Sequence, residues 1–180
     1  NHLYILLRVK VSGNRNIIID DLLNKKILFY ISFNNFKWIN LWKGKIDQVE
    51  YIINSNESKF SISNLSIINY YINLSEIALS YLIYNIDINQ NISMSLCHER
   101  VRKNIDLYDF YDISDVVIDN YTRDIGEFIK HDIISGSFDS RRYFFINNIN
   151  DIDRVLLLSR VLFPSYFYDV FDDFVLNNKD

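Results

Sequence analysis

The sequence predicts a predominantly helical α+β fold with a few short strands. Hydrophobic residues make up 49% of the chain, which is enough to bury a core, and there are only one proline and four glycines. So few breakers favour long helices over a turn-rich barrel or sandwich. Several stretches also repeat apolar residues at intervals of three and four, as helices with one buried face do. We expect a single domain over residues 1–180.

Charge and cysteine content exclude several classes of protein. The net charge is −4 and no stretch concentrates Lys and Arg, so the sequence lacks the basic surface of a nucleic-acid binder. No apolar run approaches the ~20 residues of a membrane span. Cys97 is the single cysteine, and no Cys/His group has zinc spacing, which favours a cytoplasmic protein without a structural metal. We expect a small molecule or another protein as its partner.

The first half of the chain predicts a strand and three helices. Leu3–Val11 is almost uninterruptedly apolar and indicates a buried strand. Asp20 and Asp21 then stand where a helix cap and first-turn carboxylate belong, before apolar residues at helical spacing up to Ile31. Further helices are predicted over Lys37–Ile53, with Trp38 and Trp42 as core anchors one turn apart, and over Ser66–Tyr84, which we expect to be central.

The second half predicts two strands followed by helices. The strands are Ile92–Cys97 and Val116–Ile118. The first helix is Thr122–Ile134, which Ser135-Gly136 ends. The second is Ile152–Leu162, which Asn150-Asp151 cap. A last helix begins at Pro164 and runs through Asp173. Aromatic residues fall on both faces of the last helix, so we expect part of them to pack on the core.

Three short motifs lie in the middle of the chain. Leu96-Cys97-His98 ends one strand, Val116-Val117-Ile118-Asp119 forms the next, and Asp124-Ile125-Gly126 opens a helix. In this order the motifs resemble the active-site half of aminoglycoside-phosphotransferase and choline-kinase-like enzymes, including the kinase-like proteins of bacterial spore coats. The resemblance implies a protein-kinase-like C-terminal lobe, with the N-terminal lobe upstream of residue 1 and Tyr4–Val9 as the hinge strand that meets adenine.

The resemblance also implies cofactors and site residues. Phosphoryl transfer needs a metal ion to neutralise phosphate charge and a base for the acceptor hydroxyl, so it implies ATP and magnesium. Asp119 matches the magnesium ligand on the nucleotide phosphates, and Asn104 stands near the position of the asparagine that helps to hold the magnesium as a second ligand. His98 matches the histidine of the catalytic loop, and Asp124 matches the structural aspartate of the next helix.

The catalytic loop departs from the family pattern at two positions. Glu99 stands where the glycine belongs, and Arg100 stands where the catalytic aspartate belongs. A guanidinium cannot act as a base at pH 7. His98 and Glu99 are therefore the candidate catalytic residues, with the Glu99 carboxylate replacing the missing one.

Three functions follow as hypotheses. The first is a degenerate, pseudokinase-type protein that acts by binding a partner or a nucleotide. The second is an active magnesium-dependent phosphotransferase of small molecules, and the third is an unrelated helical structural protein.

Each motif residue also has a structural interpretation. A histidine at a strand end more often makes structural hydrogen bonds than it catalyses, and Asp119 is as well placed to cap the following helix as to bind a metal. Arg123 and Asp124 are placed to pair with His98 or Glu99 in a polar network that holds the fold. Cys97 is expected to be a small buried residue at a strand end.

Overall fold

The computed structural model describes residues 19–23, 27–56, 60–98, 101 and 116–177. Four features predicted from the sequence lie outside these residues. They are the strand Leu3–Val11 with its hinge segment Tyr4–Val9, the loop residues Glu99 and Arg100, and the second ligand position Asn104.

Helices dominate the described residues, and three strands form one small sheet, so the predicted α+β class is confirmed. In chain order the elements are α1 (Ile19–Leu23), β1 (Ile27–Ser32), a 3-10 turn (Phe33–Asn35), α2 (Trp38–Ser55), α3 (Ile62–Asn85), β2 (Asn91–His98), β3 (Val116–Asp119), α4 (Thr122–Ile134), a 3-10 segment (Ser140–Asn148), α5 (Asp151–Leu162) and α6 (Ser165–Asn177). Among these helices, none combines the length and apolar character needed to cross a membrane.

The chain divides into two compact units. Among the described residues, one unit contains those up to Phe29 together with those of Met94–Phe138, and the other contains those of Tyr30–Ser93 and those from Asp139 onward. The expectation of a single domain over residues 1–180 stays a prediction.

The first unit is built on the pairing of β2 with β3. The two strands are antiparallel, with Cys97 opposite Val117 and His98 opposite Val116, and the sheet order is β1-β2-β3. Helix α4 follows β3 directly and packs against α1, with Ile125 and Ile129 buried between polar residues. This arrangement brings the end of β2, the end of β3 and the start of α4 into one region.

The second unit is a helical layer around α3, which packs mainly against α5 and also against α2. Hydrogen bonds to side chains define where two of its helices begin. The Ser61 hydroxyl accepts the Asn64 N–H at 3.2 Å, and the Asn150 side chain accepts the Asp153 N–H at 2.8 Å. Asn150 confirms the predicted cap of α5, whereas Ser61 starts α3 four residues before the predicted helix.

Aromatic side chains fill much of this second core. The Trp38 and Trp42 rings stack with their centroids 5.3 Å apart, and Trp42 stacks on Phe163 at 4.3 Å. Phe163 in turn stacks on Tyr168 at 5.2 Å. Both tryptophans are buried, so their prediction as core anchors is confirmed. The C-terminal aromatics also divide as predicted, since Phe171 is buried while Tyr166 is exposed.

The prediction of a helix from Asp20 to Ile31 is wrong beyond the first turn. Helix α1 ends at Leu23, and Ile27–Ser32 forms the edge strand β1. The run from Ile27 to Ile31 is continuously apolar and includes two aromatic and two β-branched residues, and such a short run fits a strand as well as a helix. Pairing with β2 decides between them.

Candidate functional site

Two of the predicted site residues, His98 and Asp119, lie at the ends of β2 and β3. The antiparallel register places His98 opposite Val116 and Asp119 opposite Ser95, so the two residues are not direct neighbours across the ladder. Helix α4 begins three residues after Asp119 and brings Arg123 and Asp124 to the same region. We call His98, Asp119, Asn120, Arg123 and Asp124 the polar cluster.

Asp124 binds both the backbone and the side chain of His98. Its carboxylate accepts the His98 N–H, at 3.0 Å to Oδ1 and 3.2 Å to Oδ2, and its Oδ2 lies 2.6 Å from the imidazole Nδ1. An ionised carboxylate can only accept, so Nδ1 is the donor whenever Asp124 is ionised. Asp124 is fully buried and His98 is 8% exposed. The pair therefore holds the end of β2 against the first turn of α4.

Arg123 connects the ends of the two strands. Its Nε donates to the His98 carbonyl oxygen at 3.1 Å, and its Nη1 donates to Asp119 Oδ2 at 2.7 Å. The second Asp119 oxygen, Oδ1, accepts the Asn120 N–H at 2.7 Å. A planar guanidinium with several fixed donors suits such a double contact, which a lysine could not reproduce. Both oxygens of the Asp119 carboxylate are thus engaged by donors.

Asn120 shapes the turn between β3 and α4. It is fully buried, and its Oδ1 accepts the Thr122 N–H at 3.0 Å and the Thr122 hydroxyl at 2.5 Å. The Cys97 thiol lies 3.2 Å from the Asn120 carbonyl oxygen, a weak hydrogen bond behind the turn. The N-cap position of α4 is Tyr121, which makes no side-chain cap bond, and the Asn120 side chain instead orders the turn that leads into the helix. Cys97 is buried as predicted.

The structure thus brings together His98, Asp119, Arg123 and Asp124. The predicted pairing of Asp124 with His98 is confirmed, because it is seen directly in the hydrogen bonds. The catalytic roles of His98 and Glu99, and the ligand roles of Asp119 and Asn104, stay predictions.

Two contacts of the polar cluster were missed in the sequence. Nothing assigned Asn120 a role, although an asparagine two residues before a helix is a common signal for a side-chain turn. Arg123 contacts His98 as expected, through the His98 carbonyl oxygen, but its second contact, with Asp119, was not expected. The spacing of four residues between Asp119 and Arg123 was the available signal, but it applies to helix surfaces and Asp119 precedes the helix.

The arrangement of the possible ligand side chains decides whether the polar cluster can hold a metal ion. Within the ranges that the structure describes, no group of three His, Cys, Asp or Glu side chains is arranged to hold a metal ion. Magnesium at phosphoryl-transfer sites needs only one or two carboxylates beside the phosphates, so Asp119 alone remains relevant. Its carboxylate, however, is already compensated by Arg123, so the described residues do not fit a magnesium ion as they stand.

Comparison with known proteins gives one family. The family model described as "Spore coat putative kinase YutH" matches residues 30–180, which is most of the chain and includes the whole polar cluster. No curated protein and no solved structure gives a significant match. The chain therefore belongs to the spore coat putative kinase YutH family and is a kinase-like protein.

Proposed function

We propose that this chain is the C-terminal lobe of a degenerate kinase-like protein, which acts by binding a partner or a nucleotide and not by efficient phosphoryl transfer. One observation carries the proposal. Asp119, the residue that the resemblance assigns to magnesium, has the Arg123 guanidinium 2.7 Å from its Oδ2. A carboxylate paired in this way offers a metal little uncompensated charge, and the fixed cation beside it repels a second one.

The sequence of the catalytic loop supports the same proposal. Arg100 stands where the resemblance to aminoglycoside phosphotransferases places the catalytic aspartate, and a guanidinium stays protonated at pH 7. Asp124 holds both the backbone and the ring of His98, and this arrangement orders the residue at which the catalytic loop begins. The polar cluster therefore has the connections of a structural network, in which Arg123 and Asp124 join the start of α4 to the ends of β2 and β3.

An active phosphotransferase is the second candidate. It is favoured by one observation, namely that a carboxylate at the end of β3 and a histidine at the end of β2 are joined through a single side chain. If Arg123 released Asp119, the carboxylate would become available to a metal, and Glu99 would have to act as the base. The family match speaks against the third hypothesis, an unrelated helical structural protein.

The deciding experiment measures ADP release and thermal stabilisation of the full-length protein by ATP, with and without magnesium. We expect no ADP release above the rate without protein, and any stabilisation to be independent of magnesium and unchanged in Asp119→Asn. Asp47→Asn, on the exposed side of α2, is the matched control. Magnesium-dependent ADP release that Asp119→Asn abolishes and Asp47→Asn preserves would overturn the proposal in favour of the active enzyme.

A further inference from the structure

Helix α3 is apolar on two faces, and only one of them is buried. The core face contains Ile68, Ile72, Leu79 and Leu82, all of which are buried. A second row follows the alternating three- and four-residue intervals of a coiled-coil heptad. We call this row the α3 stripe, and its members are Ile67, Tyr70, Leu74, Ile77, Tyr81 and Tyr84.

The α3 stripe is largely exposed to solvent. Ile67 is 56% exposed, Tyr70 62%, Ile77 57% and Tyr84 88%, while Leu74 and Tyr81 are half-buried. Scattered apolar side chains are normal on protein surfaces, but a continuous row along five turns of one helix is not. Contiguous exposed apolar patches of this kind mark interaction sites.

The surface of α3 also has the shape that another helix requires. Asn73, Ile77 and Tyr81 form one ridge at intervals of four, and Glu76, Ser80 and Tyr84 form the next. Between the ridges lies a shallow, open groove. Helices pack by placing a ridge of one into a groove of the other, and ridges at intervals of four are the commonest kind.

The chemistry of α3 narrows the choice of occupant. Its 24 residues include a single charged side chain, Glu76, and no lysine or arginine. A helix that lies on a lipid surface normally carries basic residues on its polar face, so a membrane is a poor match. A strongly charged partner would find no complementary charges either. A second α3 does match, because it brings the same apolar row with uncharged amides and hydroxyls beside it.

The exposed area is sufficient for such a pair. Tyr70 and Tyr84 together expose about 300 Å², if a tyrosine side chain contributes about 200 Å² when it is fully exposed. With the aliphatic members the stripe exposes roughly 500 Å² per copy, so two copies bury at most about 1,000 Å², which is the lower limit for a specific interface. Because both copies use the same surface, the pair closes as a two-fold dimer and does not propagate.

We propose that the α3 stripe is a homodimer interface, in which α3 of one copy packs against α3 of a second copy. The interface lies within the second unit and does not depend on the polar cluster. It therefore stands or falls independently of the function proposed above.

The experiment is sedimentation equilibrium of the full-length protein between about 1 and about 100 µM, a range that covers weak and moderate dimers. We expect a dimer at the upper concentrations. Ile77→Glu and Tyr84→Glu each place a charge in the stripe, and each should raise the dissociation constant at least about tenfold, because a like charge would face its own copy across the two-fold axis or remain buried without a partner.

Tyr51→Glu is the matched control, because Tyr51 is a tyrosine on α2 with 74% exposure and lies outside the stripe. It should dimerise as the wild type does. Tyr84 is so exposed that its substitution leaves the fold intact, which far-UV circular dichroism verifies. A wild-type protein that stays monomeric at every concentration overturns the proposal, as does association that neither stripe variant weakens.

Discussion

The polar cluster and the aromatic core use different physics to hold their units together. We define the aromatic core as Trp38, Trp42, Phe163, Tyr168 and Phe171, all of which are buried. Four of them, Trp38, Trp42, Phe163 and Tyr168, stack in a continuous series, and such ring contacts are broad and have little directional preference. In the polar cluster, Asp124 is equally buried but depends on three short hydrogen bonds to one residue. The difference teaches that an aromatic core tolerates a change of ring, whereas a buried polar cluster requires particular atoms.

The largest expected effect is in the aromatic core. Trp42→Ala removes a ring that stacks on Phe163 at 4.3 Å and on Trp38 at 5.3 Å, and it should lower the free energy of unfolding by about 3–5 kcal/mol. Trp42→Phe keeps a ring in place and should cost less than half of this. Urea unfolding followed by circular dichroism measures both, with exposed Tyr51→Ala as control. Equal losses for Trp42→Ala and Tyr51→Ala would contradict the stacked core.

The next effect tests whether the polar cluster requires particular atoms. Asp124→Asn keeps the shape of the side chain but replaces one acceptor oxygen with an NH₂ group that faces the His98 donors. We expect a loss of about 2–3 kcal/mol, nearly as large as for Asp124→Ala, since bonds to a charged group are lost and donors remain buried. Hydrogen exchange of the α4 amides measures the change. If Asp124→Asn behaves like the wild type, the contrast with Trp42→Phe disappears.

A smaller effect sharpens the role of Arg123. Arg123→Lys keeps the charge but cannot reach both the His98 carbonyl and Asp119, so we expect a loss of about 1–2 kcal/mol in urea unfolding. The matched control is Arg141→Lys, whose partner Asp139 lies in an exposed pair. That pair holds the pKa of the Asp139 carboxyl below its usual range through hydrogen bonds from Arg141, yet its loss should leave stability unchanged. Equal losses of stability at the two positions would argue against a stabilising double contact of Arg123 with His98 and Asp119.

The smallest effect probes a polar contact inside the aromatic core. Burial is the main cause that raises the pKa of Tyr168 to about 12. The hydrogen bond to Ser75 opposes this rise, and the negative charges of Glu50 and Glu76 add smaller increases. The folded protein thus favours the neutral phenol. The contribution of Tyr168 to the free energy of unfolding is fully present below about pH 10 and is lost as the pH rises towards about 12. Tyr168→Phe should flatten this fall and cost about 1 kcal/mol at pH 7.

Thermal unfolding at pH 8, 10 and 11 compares this variant with the wild type, with Tyr166→Phe at an exposed position as control. Equal pH dependence in the wild type and in Tyr168→Phe would show that the buried phenol does not control it.

The sequence predicted most helices because their apolar residues repeat over several turns. Helix α4 matches its prediction at both ends, and α5 differs by one residue, because a glycine, an asparagine and a proline mark the boundaries. Strand β1 was missed because a run of five apolar residues has no period that separates a strand from a helix. Its pairing with β2 depends on residues distant in sequence, which no local pattern contains.

The candidate site was predicted in part for a related reason. Strand ends and a helix start could be recognised locally, and so could the carboxylate and histidine placed there. Which atoms meet depends on the fold as well, since the contact of Arg123 with the His98 carbonyl oxygen joins residues that are 25 apart in sequence. The pairing of Arg123 with Asp119, which bears most on the proposed function, spans four residues, but that spacing predicts a pair within a helix and Asp119 precedes the helix.

The stacked tryptophans also provide an intrinsic fluorescence probe of unfolding. Both tryptophans of the chain lie in the second unit, with their rings in contact, so their emission spectrum follows the packing of that unit alone. Circular dichroism follows the helices of both units. If the two signals change at the same urea concentration, the units unfold as one cooperative body, and if the curves separate, each unit has a stability of its own.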